Sequence, residues 1–114
     1  MFVSLMAVAA FLVNDRYEPA GAVAWLCPTP EAAAEVGSKT QSHAALGLVS
    51  ALASARKCVS WEAGAMNIRG SKRVADQEVG LIRVIYGSGP ETSYWIARNT
   101  LRWVSPGAGS APKR

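Results

Sequence analysis

One hundred and fourteen residues, half of them apolar and only 18% charged, make one folded domain and exclude a disordered chain or two independent cores. The formal charge of +4 is spread over Lys39, Arg56, Lys57, Arg69, Lys72, Arg73, Arg83, Arg98 and Arg102, without the dense stripe of a dedicated nucleic-acid binder. What remains is a weak preference for anionic surfaces.

The chain opens with "MFVSLMAVAAFLV", thirteen apolar or small residues without a charge. A membrane-spanning helix needs about 20 residues, so this run is too short to cross a bilayer. Its length suits the apolar stretch of a secretory leader. "AVA" at Ala22 to Ala24 supplies small residues for cleavage before Trp25, which makes residues 1–24 a signal peptide. Against that reading, no Lys or Arg precedes the run, and the charged "NDRYEPAG" separates it from the cleavage site. The alternative places Met1 to Val13 in the core of the fold. Leu26 before Cys27 is too large for a lipoprotein signal.

Two cysteines, Cys27 and Cys58, both follow the cleavage site. An even pair in a short exported chain reads as one disulfide. It would close a loop of roughly 30 residues, worth about 3.5 kcal/mol in the chain-entropy account. Export and the disulfide stand or fall together, and they imply a periplasmic or secreted protein.

"PTPEAAAEV" predicts a helix, with Thr29 as its N-cap, Pro30 in the first helical position and Glu31 at the positive end of the dipole. Gly37 and "GSKTQS" should end it. A second helix is expected from near Ser42 through "HAALGLVSALASARK", with Ala45, Leu48, Val49 and Leu52 as its apolar stripe. Residues 25–57 are thus a helical hairpin, clamped at its open ends by the two cysteines. From Cys58 the texture is that of short strands. Val59 and Trp61 share a face, "EAG" is a turn, Met66 and Ile68 share a face, and "SKRVADQE" is a polar connection. "VGLIRVIYG" is the strongest strand signal, with Ile82, Val84 and Tyr86 on one face and Leu81, Arg83 and Ile85 on the other. "SGPETS" turns the chain, "YWIA" is a strand, "RNT" a tight or 3₁₀ turn, and "LRWV" closes the domain. Residues 105–114 read as a flexible tail. Four or five short strands with tight turns predict a small, strongly curved sheet or barrel.

The series "CVSWEAGAMNI", "VGLIRVIYG" and "YWIARNTL" resembles the later part of a bacterial SH3-like barrel. "EAG" at Glu62 to Gly64 matches the family's first turn, "LIRV" at Leu81 to Val84 its third strand, and "YWIARNTL" at Tyr94 to Leu101 its closing strand and 3₁₀ turn. The likeness covers about residues 58–104. The family's opening strand is missing before Cys58, Tyr94 stands where a Gly is expected, and Leu81 where a Trp is expected. The resemblance implies an α+β fold, an N-terminal helical hairpin packed on a small SH3-like antiparallel β-sheet or barrel. It is also similar to small exported bacterial proteins of that layout, a likeness that implies no activity.

Few residues point to chemistry. His43 is the single histidine, and a disulfide would remove both thiols from a Cys–His pair. Two Cys and one His cannot supply the four ligands of a structural zinc site. The carboxylates form no evident pair; Glu31 and Glu35 are i, i+4 on a solvated helix face. "YGSGP" at Tyr86 to Pro90 is a turn and not a phosphate loop. The expectation is a non-enzymatic protein without cofactor or metal. Binding would rest on aromatic and cationic residues of "YWIARNTLRWV": Tyr94, Trp95, Arg98 and Trp103. By alternation Tyr94 and Ile96 point one way and Trp95 and Ala97 the other, while Trp61, Tyr86 and Trp103 are expected in the core. The leading reading is a non-catalytic exported binding module for a peptide, a cell-wall fragment or an envelope protein, with no membrane span after cleavage. A structural or inhibitory protein docking through its helical face is the second. A cytosolic regulator that touches nucleic acid is the third.

Overall fold

Strand β1 (Arg16–Pro19) lies at the centre of a three-stranded sheet, between β4 (Met66–Asn67) and β8 (Leu101–Ser105), antiparallel to both. The structure, a computed structural model, describes residues 11–42, 44–62, 64–85 and 88–107. A second sheet is the meander β5 (Gly70–Val74), β6 (Gln77–Ile85) and β7 (Glu91–Ala97). A third pairs β2 (Ala24–Leu26) with β3 (Val59–Trp61). Two helices, α1 (Pro30–Gln41) and α2 (Leu46–Ala55), fill the chain between β2 and β3. The architecture is an α+β mixture of small antiparallel sheets and two helices. The hairpin is mid-chain rather than N-terminal, because β1 and β2 precede it.

The sheets are stitched together by the backbone. Ile68 exchanges hydrogen bonds with Asn14 and Asp15 beside β1, while the next residue, Arg69, donates its N–H to the Leu81 carbonyl of β6. The segment from Met66 to Val74 therefore bends from one sheet into the next. Cys27 and Trp95 exchange two backbone bonds of 2.7 Å, which ties β2 to β7. A 3₁₀ turn (Arg98–Thr100) carries the chain from β7 into β8, as "RNT" predicts. Joining edges in this way removes unpaired backbone groups that would otherwise recruit other strands.

Alternation along β6 and β7 sorts two cores. Ile82 and Ile96 point inward with Phe11, Tyr17, Leu26, Trp61, Ile68 and Leu101. Val79 points to the opposite face, where the alanines of α1, Val49 and Ala53 of α2, and the two cysteines pack. The Cys27–Cys58 disulfide is formed, with its Cα atoms 4.1 Å apart. It continues the β2–β3 register by one residue beyond Leu26 and Val59. A left-handed Lys57 (φ 66°) delivers Cys58 to that position. Cys58 N–H returns to the Ala53 carbonyl and Lys57 N–H to Ser54, the paired bonds of a Schellman cap.

Helix α1 begins as predicted, with Thr29 Oγ1 accepting from Ala32 N–H at 3.1 Å and Pro30 in the first turn. It does not end at Gly37 but continues to Gln41. Gly37 serves contact, not termination: a Cβ there would lie 2.5 Å from Ala97 Cβ and 2.8 Å from Gln77 Oε1. Helix α2 starts four residues later than Ser42, and its buried residues are Val49 and Ala53, with Leu52 half-buried. Leu48 and Ala45, expected in the stripe, are exposed. The polar connection "SKRVADQE" is itself a hairpin; it holds most of β5, a two-residue turn at Ala75 and Asp76, and the start of β6. Left-handed Ala75 (φ 55°) permits that tight reversal.

Of the expected leader, residues 1–10 lie outside the described residues, while Phe11 and Tyr17 belong to the inner core. A chain beginning at Trp25 would lack both, together with the central strand of the first sheet. Of the expected tail, Ser105 ends β8 and Gly107 is buried, donating its N–H to Asp15 Oδ1. Residues 108–114 lie outside the described residues. Among the described residues, no helix is long and apolar enough to cross a membrane.

Candidate functional site

The four residues predicted to form a patch fall in two places. Tyr94 and Trp95 occupy opposite faces of β7, as alternation requires: Tyr94 packs against the inner core, Trp95 against the helical layer and the disulfide. Arg98 and Trp103 instead lie against the N-terminal segment. The Arg98 guanidinium carbon sits 5.0 Å from the Tyr17 ring centre and 5.7 Å from that of Phe11, and its Nη1 donates to the Leu101 carbonyl at 2.9 Å. The Phe11 and Tyr17 rings meet edge to face at 5.2 Å. Trp103 donates its indole N–H to buried Asp15 at 2.9 Å and leaves 44% of its surface exposed, so it is not the core residue the sequence predicts. Trp61 is in the core, and Tyr86 and His43 lie outside the described residues.

Two hollows flank the helical layer. The first, about 600 Å³, is an open groove between α1, Leu52 of α2 and the β5–β6 turn, with Glu31, Glu35 and Lys39 on its wall. Glu35 is held there by a two-pronged ion pair, Arg56 Nε to Oε1 at 2.6 Å and Nη2 to Oε2 at 3.0 Å, which joins α1 to the end of α2. That hydrogen-bonded guanidinium keeps the Glu35 carboxyl below the usual carboxylate range, and the carboxylate raises Arg56 in turn. The second hollow, about 300 Å³, lies between the β1–β2 loop, α2 and the 3₁₀ turn. Val23, Trp25, Leu46 and Val49 give it apolar walls. Its hydroxyls already donate elsewhere: Thr40 to the Val36 carbonyl and Thr100 to the Ala97 carbonyl. Asn99 donates to Gly37. A guest in this hollow would be held by apolar contact more than by new hydrogen bonds.

The residues that sequence reasoning missed are on α2. Leu46 is 75% exposed and rims the second hollow, and Leu48 is 60% exposed. At 100° per residue the two leucines flank the buried Val49–Ala53 stripe on either side, so the apolar arc of α2 is wider than the part the sheet covers. The signal was available: "LGLVSALA" carries too many apolar side chains for one packed stripe. Among the described residues no three His, Cys, Asp or Glu gather as a metal-binding group. No protein-family model, curated protein or solved structure matches this chain.

Proposed function

We propose that this protein is an exported, non-catalytic binding module with an SH3-like barrel, and that it engages an envelope protein or peptide. Supporting the barrel reading, with β2, α1, α2 and β3 taken together as an insertion after β1, is the order strand, bent strand, strand, strand, 3₁₀ turn, strand, with "YWIARNTL" running from β7 through the turn into β8. The opening strand absent before Cys58 is then Arg16–Pro19, separated from the rest of the barrel by the helical insertion. Supporting export is the disulfide, since such bonds persist in oxidising compartments. Because Phe11 and Tyr17 are core residues, this reading puts any leader cleavage ahead of Phe11.

One observation favours docking through the helical face over the Tyr94–Trp103 patch: Leu46 exposes apolar surface at the rim of an apolar hollow, with Leu48 exposed on the other side of the buried α2 stripe, whereas the patch residues are divided between two faces. Scattered exposed leucines are ordinary on a monomer, so position beside the hollow carries the weight. The test compares retention on immobilised envelope fractions for the wild type, Leu46→Asp/Leu48→Asp and Trp103→Ala. Loss confined to the leucine variant supports the helical face; loss confined to Trp103→Ala moves the site to the barrel. Intact mass under non-reducing conditions, with alkylation, tests export: a cytoplasmic chain with two free thiols sinks it.

A further inference from the structure

The outer face of the β5–β6–β7 sheet continues beyond the helices that cover Val79 and Ala97. Cross-strand pairing puts Gly70, Leu81 and Trp95 in one row across the three strands. Leu81 and Trp95 are half-buried, and a Cβ built on Gly70 would meet nothing within 4 Å. The row is therefore a shallow apolar step with open space above its glycine end. Lys72 stands on the same face one pair to one side, opposite Val79, and Arg83 one pair to the other side, opposite Ser93. Both are exposed, and neither is in an ion pair among the described residues. Among the register positions of this face the single carboxylate is Glu91, at the far end opposite Ile85. The nearest acidic groups on the covering layer are Glu31 and Glu35 of α1, and Glu35 is occupied by Arg56.

We propose that this face binds an acidic polysaccharide, with the flat apolar side of a pyranose ring on the Leu81–Trp95 step and ring carboxylates between Lys72 and Arg83. An aromatic ring beside two cations, with Glu91 one pair beyond Arg83 as the one acid of the face, leaves a net positive surface that suits a ligand both ring-shaped and anionic. Single-stranded nucleic acid shares that chemistry; the disulfide favours the glycan, and to that extent the inference rests on the export reading.

The experiment is affinity electrophoresis of the full, oxidised chain through gels containing polyuronate, neutral dextran or no polymer, with single-stranded DNA binding measured at the same salt. Retardation is expected in polyuronate alone, weakening as salt rises. Lys72→Glu/Arg83→Glu should weaken it by about tenfold or more, since two attractive contacts become repulsive. The control Arg16→Glu/Lys57→Glu makes the same change in net charge away from this face and should retain binding. Gly70→Val, whose Cβ meets nothing within 4 Å and which suits a strand, should block the ring while leaving the circular dichroism unchanged. Equal loss in the control pair, equal retardation in dextran, unaltered binding by Gly70→Val, or tighter binding to DNA would each overturn the proposal. Compartment and thiol state report separately on export: a reduced cytoplasmic chain that still binds polyuronate overturns the export reading and leaves the site standing.

Discussion

The inner core and the helical layer bury their residues by different means. The inner core holds Phe11, Tyr17, Trp61 and five Leu or Ile side chains, so stability there rests on large apolar volumes in mutual contact. Under the helices the fully buried contacts are Ala32, Ala33, Ala34, Val36, Val49, Ala53 and Val79, small groups that let α1 approach the sheet closely but bury little surface each, while the larger Trp25, Leu52 and Trp95 are only half-buried against them. The disulfide belongs to this second layer. It ties the two helices at their base, where side-chain volume is least able to do so. A thin, alanine-rich layer is thus held by closure of its loop, and a thick core holds itself.

The most severe way to break this comparison is to delete residues 1–24. Loss of Phe11, Tyr17 and β1 removes two buried aromatics, each worth about 3–5 kcal/mol on truncation, from a domain of ordinary marginal stability. The fragment starting at Trp25 should show no cooperative thermal transition; a folded one would mean the inner core forms without β1. Next comes Cys27→Ser/Cys58→Ser, expected to cost about 3.5 kcal/mol in denaturant unfolding. Amide exchange should quicken mainly in α1 and α2, and equal loss of protection in β6 and β7 would abolish the distinction between the layers.

Gly37→Ala probes how tightly the helical layer fits. Alanine favours helix by up to about 1 kcal/mol, yet its Cβ would press on Ala97 at 2.5 Å. A net loss of about 1–3 kcal/mol is expected from overpacking, and a stabilised variant would show the layer to be loose. Glu35→Gln should have the smallest effect, because the pair with Arg56 is half-exposed. Its sign is set by the lowered carboxyl pKa: the stabilisation is present above the ordinary carboxylate range and is lost as pH falls through the lowered value. The difference in denaturation midpoint between wild type and variant should therefore vanish in strong acid and reappear toward neutrality. A difference that persists unchanged in acid would assign it to packing.

Local signals were legible where one residue type satisfies one local demand. The Thr29–Pro30 start of α1, the 3₁₀ turn and the alternation of Tyr94 and Trp95 could all be read from spacing. Gly37 was misread because a glycine that ends a helix and one that admits a neighbouring Ala97 look alike in sequence. The candidate site was legible as a residue inventory but not as a place. Arg98 and Trp103 are committed to Tyr17 and Asp15, whose place at and beside β1 no local pattern announces.

By itself, the order of residues determined the helical hairpin, the cysteine pair at its ends and the strand texture that follows, since capping, loop closure and period-two alternation act over a few residues or through a single bond. Tertiary structure alone decided that Arg16–Pro19 sits between the strands at Met66 and Leu101, that the split of one bent strand joins two sheets, and which α2 leucines remain outside. Those outcomes depend on pairings between segments about 50 and 85 residues apart, and the free energy of such pairings comes from surfaces that exist only once both segments have met.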